Sequence, residues 1–566
     1  MTSEVTSISL DRARREGRLR RLLIAWAGHH LSLYNVTTGL VIALSLLLTI
    51  LPYLVFKPYF PFGGDLQHPV NLAYLLANGF PLPVPATLGE QYPDTFAYLG
   101  ASVASILGID PTVTLILLPS AIMLASIGAL YYYARRLYGQ YTALFTVVAY
   151  GLLSFQPRQT YLDGTFIELL AGLVLVPLFL LALINSVSST GWRWPCLAGI
   201  LAGTIARYHF LGLTQALAIT ALFFIALLLF RRDLLNRALL WRLLLMAGIA
   251  AIISLPYSFY YARIYATILL GRVGILPPAM QEAVFPIVQF PNEFMNRLGS
   301  VFSLLTFVAF AALFVRLLAR RLATRREPLP PADLLLVAWT LAMLVGTFTQ
   351  VFLVPERFLR NLALPAALAV GLLLDSLRSR RLALVAALAI LLAVGVPQVV
   401  RHTVAVAATS IYGEPADVPS LQALQRIHAG EPDRYVLADE SGRWTLYYVQ
   451  GRGYLMQGGP EGFERFGEPD RTLMNDLWQA YRDPCAPRSL ESFRRYGVGY
   501  IYLGRRPGHW TLPGYLYNSG SNYASCSHLK LEYAEQTPSG RISIWRIQDA
   551  ASKLQPTNSG SPGLMR

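Results

Sequence analysis

Apolar stretches of helical length recur from about Gly39 to Val396, separated by shorter polar segments. They are continuous runs, not the ~10-residue alternations of a membrane β-barrel strand. The pattern predicts about eleven membrane spans, at 36–56, 112–134, 141–155, 166–185, 196–208, 211–230, 239–257, 300–318, 334–353, 358–375 and 382–398. The third and fifth are short, so they should be tilted into protein or partly unwound. Two connections are long for a tight bundle, 57–111 and 258–299. The first has amphipathic character in Val70–Leu76 and Thr95–Leu107, which predicts short helices lying along the membrane interface. From about Ile411 the period shortens. Strand-like runs occur at Arg434–Ala438, Trp444–Val449, Gly499–Leu503, Lys530–Tyr533 and Arg541–Arg546, with helical patterns at Ser420–Ile427 and Ser489–Tyr496. The expectation is a polytopic all-α membrane bundle over 36–400, followed by a small α/β domain over 411–549 and a disordered tail from 550 to 566.

Composition agrees with that pattern. Of 566 residues 54% are hydrophobic and only 14% charged, where soluble domains run near a quarter charged. A cytosolic enzyme, a coiled coil and a disordered scaffold are excluded. The net charge of +15 points towards nucleic acid only until its placement is examined. Lysine occurs only at Lys57, Lys530 and Lys553, so the charge is nearly all arginine. Threaded from a cytoplasmic N-terminus (the basic segment 1–35), 21 arginines before residue 400 fall inside, against eight basic residues outside. That is the positive-inside asymmetry of a membrane protein, and no nucleic-acid partner is implied. The odd number of spans places the C-terminal domain outside the membrane. No short apolar segment with a small-residue cleavage site follows the basic start, so it reads as uncleaved. The arginine bias suggests a prokaryotic plasma membrane.

Motifs for soluble chemistry are missing: no P-loop, GxGxxG, CxxC or HExxH. Cys196 lies in a span, whereas Cys485 and Cys526 both fall in the outer domain, where an oxidising compartment permits a disulfide. The chemistry must come from charges near the membrane, where each needs a reason. Asp65, in Phe60-Pro-Phe-Gly-Gly-Asp65-Leu-Gln-His68, follows two glycines that permit an unusual turn, and His68 lies three residues on. The plain alternative is a helix cap. Asp163 and Glu168 stand at the start of the fourth span. Asp163 also fits a cap, but Glu168 lies about one turn inside the apolar run and should face a polar cavity or a cation. Arg357 and Arg360, at i and i+3, share a helix face suited to holding a phosphate bidentately, the alternative being a headgroup anchor or an ion pair with Glu356. Arg207 and His209 form a weaker cluster at the same depth, and Arg263 and Arg272 are further candidates. All lie on the outer side of the threading. Carboxylates and arginines converging there suit an anionic, lipid-linked substrate, with a carboxylate as base and an arginine or metal on the departing phosphate.

At these residues the chain resembles the GT-C superfamily of integral-membrane glycosyltransferases, which includes oligosaccharyltransferases, protein mannosyltransferases and aminoarabinose transferases. The resemblance rests on Gly64-Asp65-Leu-Gln-His68 with Asn78-Gly79 and Gln91-Tyr-Pro-Asp94 in a large first outer loop. It rests also on Asp163-Gly-Thr-Phe-Ile-Glu168-Leu-Leu-Ala, and on Glu356-Arg357-Phe-Leu-Arg-Asn-Leu-Ala-Leu-Pro365. By this resemblance the donor substrate is a polyprenyl-phosphate-linked sugar. Asp65 corresponds to the first-loop catalytic base or metal ligand, Asp163 and Glu168 to the second-loop acids, and Arg357 to the arginine on the donor phosphate. Asp65, His68 and Asp163 are the metal-ligand candidates, with a divalent cation left open. The implied reaction is an inverting sugar transfer to a glycan, lipid or protein at the outer face. Two departures stand out: there is no Asp-x-Asp in either loop, and no Trp-Trp-Asp-like sequon pocket in the outer domain, which weighs against an oligosaccharyltransferase. The competing readings are a transporter or flippase, and a catalytically inactive relative serving in envelope assembly. No internal repeat supports the former.

Overall fold

The computed structural model describes residues 33–58, 67–79, 95–272, 288–323, 328–349, 355–409, 417–439, 444–456, 468–504, 523–537 and 540–548. Asp65, the basic segment before residue 33 and the tail from residue 549 lie outside these, as do the side chains of His68, Arg263 and Arg272.

Nine helices among the described residues are long and apolar enough to cross a membrane. They belong to α1 (Leu33–Phe56), α4 (Pro111–Tyr138), a composite helix from Phe166 to Ser188, α10 (Phe210–Phe230), α11 (Arg237–Arg272), α13 (Ser300–Ala323), α14 (Pro331–Phe348), α15 (Pro355–Ser376) and α16 (Arg381–Thr409). The two short expected spans are α5 (Gln140–Val148), which passes into a π-helical turn at Ala149–Leu153, and α9 (Arg193–Tyr208). The composite helix is α7 (Phe166–Leu170), a second π turn at Ala171–Leu175, and α8 (Val176–Ser188). Two ends differ from the periodicity. α11 runs on to Arg272 rather than stopping near residue 257, and α16 continues to Thr409 rather than ending near 398. In α11 helical backbone extends beyond the apolar stretch, which ends near Leu255, whereas in α16 the apolar stretch itself runs on past Arg401 and His402 to Ala408. The interfacial patterns appear as α2 (Gln67–Asn78) and α3 (Thr95–Leu107).

Burial divides the bundle. The composite helix and α15 are its centre, with 83% of their most apolar windows buried, against 11% for α16. The outermost helices instead expose large apolar side chains such as Leu40, Ile252, Phe314 and Leu382, as a surface facing lipid must. Where helices meet closely the contacts are made by small residues. Gly199 and Gly203 of α9 lie four apart against α11, and a Cβ at Gly199 would stand 2.7 Å from the Met246 carbonyl oxygen.

Alternating helices give the bundle two unlike ends. At one end Arg231 donates to the Leu329 carbonyl (3.1 Å), Arg242 to the Ser186 carbonyl (2.6 Å), Arg320 pairs with Asp333 (2.9 Å) and Thr142 bonds Asp375 (2.8 Å). Arg135, Arg136, Arg378 and Arg381 belong to this end. The other end holds α2, α3, the segment 154–165 and the C-terminus of α16, from which the chain enters the α/β domain.

That domain comprises α17 (Val418–His428), β1 (Tyr435–Asp439), α18 (Thr445–Tyr448), β2 (Gly453–Met456), α19 (Glu468–Arg482), α20 (Pro487–Arg495), β3 (Val498–Leu503), β4 (Leu529–Thr537) and β5 (Gly540–Ile547). The sheet order is β2-β1-β3-β5-β4. β1 is parallel to β2 and β3, and β5 is antiparallel to β3 and β4. β3 is buried throughout, and successive residues face opposite layers. Ile501 packs with Leu477, Phe493 and Trp545, while Tyr500 and Tyr502 pack with Leu421, Leu424 and Ile544. Cys485 and Cys526 form a disulfide. The run Trp444–Val449 reads as a strand but contains the helical turn α18, and the parallel partner of β1 is Gly453–Met456 instead. The turn buries Trp444, Leu446 and Val449 in the domain core and leaves Tyr447 to pack on the membrane bundle. That tertiary demand overrides the strand preference of aromatic and β-branched residues. Beside it, Asn78 of α2 donates to Gln450 (2.8 Å).

Candidate functional site

The composite helix and α15, the two most buried spans, carry their charges at the same end of the bundle, the end nearest the α/β domain. The local sequence explains how. After the short helix α6 (Arg158–Leu162), Gly164 adopts φ +76°, a left-handed conformation that glycine takes without penalty, and the chain turns into α7 at Phe166. Asp163 ends α6 and Glu168 falls in the first turn of α7. Asp163 does not cap α7, because its side chain is used elsewhere. The π turn at Ala171–Leu175 follows directly, and π turns often mark functional positions in helices.

On α15, Arg357, Arg360 and Asn361 lie at i, i+3 and i+4, one face of the helix. Arg357 forms an ion pair with Glu168, whose side chain is only 3% exposed. Arg360 pairs with Asp163 at 2.7 Å and with Glu356 one turn before it. Glu356 also receives Arg297 at 2.6 Å, and Arg297 reaches Glu293 at 3.3 Å. Both belong to α12 (Asn292–Leu298). Asn361 donates to Gln215 of α10 at 2.5 Å, and its amide fills the space that a Cβ at Gly172 would occupy. Gln215 in turn points its amide nitrogen at the Arg357 carbonyl, 3.5 Å away.

The result is a network of three guanidinium groups and four carboxylates from α6–α7, α12 and α15. Glu168 meets a cation, one of the two environments that its depth requires. Burial pushes the Asp163 carboxyl above its usual value, with the Arg360 guanidinium acting against that rise. Glu168 Oε1, Arg360 Nε and Asn361 Oδ1 are buried and have no hydrogen-bond partner among the described residues. Buried polar atoms are nearly always paired, so a cluster with three such atoms has one donor, Arg360 Nε, and two acceptors, Glu168 Oε1 and Asn361 Oδ1, to offer a ligand.

The candidates separate accordingly. Asp163, Glu168, Arg357 and Arg360 come together. Arg207 is exposed at the end of α9, and His209 is buried in an extended junction between α9 and α10, its backbone N–H on the Ile205 carbonyl (2.8 Å). Arg263 and Arg272 lie on α11 beyond its apolar window. Glu356 pairs with Arg360, the alternative the sequence offered for these arginines, and with Arg297. Arg297, Glu293, Gln215 and Asn361 were not singled out from sequence. Their signal is weak there, because a polar residue within one turn of a span end is usual. Arg158 is fully buried but works locally, donating to the carbonyls of Gly151 (2.6 Å) and Ser154 (2.5 Å) where the first π turn ends. Among the described residues no three His, Cys, Asp or Glu side chains assemble as metal ligands. Of the metal-ligand candidates Asp65, His68 and Asp163, the first and the side chain of the second lie outside the described residues, and Asp163 is held by Arg360.

No protein-family model matches the chain, and no curated protein matches it by sequence. Solved structures do. The Archaeoglobus fulgidus oligosaccharyltransferase in its apo form superposes with a TM-score of 0.60 at 15% identity, over 84% of this chain and 70% of that one. ArnT from Cupriavidus metallidurans bound to undecaprenyl phosphate gives 0.54 at 15% identity, over 91% of this chain and 99% of that one. The mycobacterial arabinofuranosyltransferase AftD gives 0.54 at 17% identity, over 90% of this chain and 41% of its own longer chain. The relation covers bundle and C-terminal region together, so this multi-pass membrane protein has a GT-C-like fold.

Proposed function

We propose that the chain is a membrane glycosyltransferase that moves a sugar from a polyprenyl-phosphate donor to an acceptor at the outer face of the membrane. The observation that carries this reading is the buried arginine–carboxylate network at the domain-bearing end, with its unpartnered N–H and oxygen atoms. A transporter site would be sought at the bilayer midplane between repeats, whereas these charges gather at the span ends. Two similar structures hold lipid phosphates, undecaprenyl phosphate in ArnT and dolichol-phosphate in an archaeal oligosaccharyltransferase.

In this reading Arg357 and Arg360 receive the donor phosphate. Because carboxylates balance both, the phosphate either takes the N–H groups left over, such as Arg360 Nε, or displaces Glu168 from Arg357. A guanidinium fork suits both arrangements. Asp65, beside the same end in sequence, takes the proton of the acceptor hydroxyl. The acceptor oxygen bonds to the anomeric carbon, the bond from that carbon to the phosphate oxygen breaks, and polyprenyl phosphate leaves with the electron pair. Attack from the face opposite the leaving group inverts the configuration. Asp163 and Glu168 hold the arginines in place.

The test compares surface glycans and glycolipids from wild type, a deletion strain, and the deletion carrying Asp65→Asn or Arg357→Ala at checked membrane abundance. Loss of one sugar in the deletion, unrestored by either variant, supports the assignment. Full restoration by Asp65→Asn would remove the base and favour an assembly or transport role.

A further inference from the structure

The opposite, arginine-rich end contains a cavity of about 1240 Å³ between α4–α5, α13, α14, α15 and the start of α16. It is remote from the network above and independent of the glycosyltransferase reading. Four arginines line it, Arg316, Arg320, Arg378 and Arg381, with two carboxylates, Asp333 and Asp375. The carboxylates are already engaged. Asp333 is buried and holds Arg320 at 2.9 Å, while Asp375 accepts from Thr142 at 2.8 Å and lies 3.9 Å from Arg378. Arg378 also stacks 4.4 Å from the centre of the Tyr141 ring. Arg316 lies near enough to Asp333 to act on its carboxylate through space, but neither Arg316 nor Arg381 makes a hydrogen bond or close ion pair among the described residues, where Arg320 takes Asp333. Four cations against two anions leave two positive charges in excess, concentrated in one recess rather than spread over a surface.

Apolar side chains from α16, Leu384 and Val385, complete the lining, and Val385 is 63% exposed on the face that meets lipid. The recess therefore joins a polar cationic floor to the hydrocarbon boundary. A ligand with an anionic head and an apolar tail meets both, and a small phosphate meets the floor alone.

We propose that this cavity is a binding site for a phosphate-bearing anion, held between Arg316 and Arg381 with Arg378 beside it. The source is either the headgroup of an acidic phospholipid or a soluble phosphate. Guanidinium groups take phosphate oxygens in paired hydrogen bonds, and clusters of arginine at the basic side of a membrane protein attract anionic headgroups.

The experiment uses the full-length purified chain in a neutral detergent, as wild type, Arg316→Gln/Arg381→Gln and Asp375→Asn. One arm titrates phosphatidylglycerol against phosphatidylcholine and reads retained lipid by native mass spectrometry. The other titrates inorganic phosphate and reads thermal unfolding. Saturable retention of phosphatidylglycerol over phosphatidylcholine assigns the lipid headgroup. Stabilisation by phosphate without lipid selectivity assigns a soluble phosphate. In either case the double variant should bind about tenfold more weakly, and Asp375→Asn, which removes a competing anion, should bind more tightly. A misfolded protein does not produce a gain, so this second variant separates loss of the site from loss of the fold. Binding of neither probe, or equal binding by wild type and the double variant, overturns the proposal.

Discussion

Glu168 and Arg357 show why a charge inside an apolar run needs its partner before it can be interpreted. The carboxylate is nearly inaccessible, so Glu168→Ala removes the anion from a largely buried ion pair. That change should cost about 3 kcal/mol in unfolding measured in detergent. The double change Glu168→Leu with Arg357→Met should recover most of the loss, since it removes both charges, but should not restore sugar transfer. Recovery of stability and transfer together would reduce the pair to a structural strut. A second residue-scale outcome concerns His428 in the α/β domain. Burial holds its imidazole below the usual value, opposed by the bond between Nε2 and the Arg434 carbonyl (2.8 Å). The folded state thus favours the neutral ring. Its contribution is present above the unfolded value of about 6.5 and is lost as pH falls below it. A pH series of chemical unfolding should show this decline, and His428→Gln should flatten it.

At the scale of elements, two devices bring helices close. The π turn after Glu168 brings Gly172 to Asn361, and Gly199 with Gly203 brings α9 against α11. At Gly203 a Cβ would meet Ile253 at 2.7 Å and the Ala250 carbonyl at 3.0 Å. Backbone cannot rotate aside as a side chain does, so Gly199→Leu or Gly203→Leu must push the helices apart. A loss of about 2 kcal/mol is expected in detergent unfolding, while the equivalent change at Gly248, which has nothing within 4 Å, should be nearly silent. The spacing Gly199-Ile-Leu-Ala-Gly203 is readable in the chain, but which helix it meets is not. The short third and fifth spans are also readable as anomalies. In the π turn that ends the first of them, Gly151 packs against Ser45 of α1, whose hydroxyl donates to its carbonyl, a contact 106 residues away in sequence.

For the whole molecule, the unequal ends carry the orientation. Basic residues should face the cytoplasm and the α/β domain the opposite side. Single cysteines placed at Ser379 and at Gln450 in a Cys196→Ser background test this with an impermeant thiol reagent on intact cells. Labelling at Gln450 but not Ser379 is expected, and the reverse pattern would invert the topology and move the arginine–carboxylate network inside. The domain's disulfide closes a 41-residue separation. Its reduction should therefore lower stability by about 4 kcal/mol, read as a drop in the unfolding midpoint under reductant that Cys485→Ser with Cys526→Ser reproduces.

What the amino-acid sequence determined alone was whatever depends on neighbours along the chain. The spans follow from apolar length, the two unlike ends from the placement of arginine, and most of the strands and helices beyond Ile411 from period and turn residues. Glu168 announced itself because depth in an apolar run is a local property. The tertiary structure alone decided what each charge meets. Glu168 and Arg357 are 189 residues apart, and Gln215 and Asn361 are 146 apart. Nothing in either local pattern names the other. The same holds for Trp444–Val449, where docking of Tyr447 on the bundle selects a helical turn over the strand that its residues prefer. Periodicity is a one-dimensional signal, whereas the pairing of buried charges is chosen by which surfaces close together, where a low dielectric makes an unmatched charge too costly to keep.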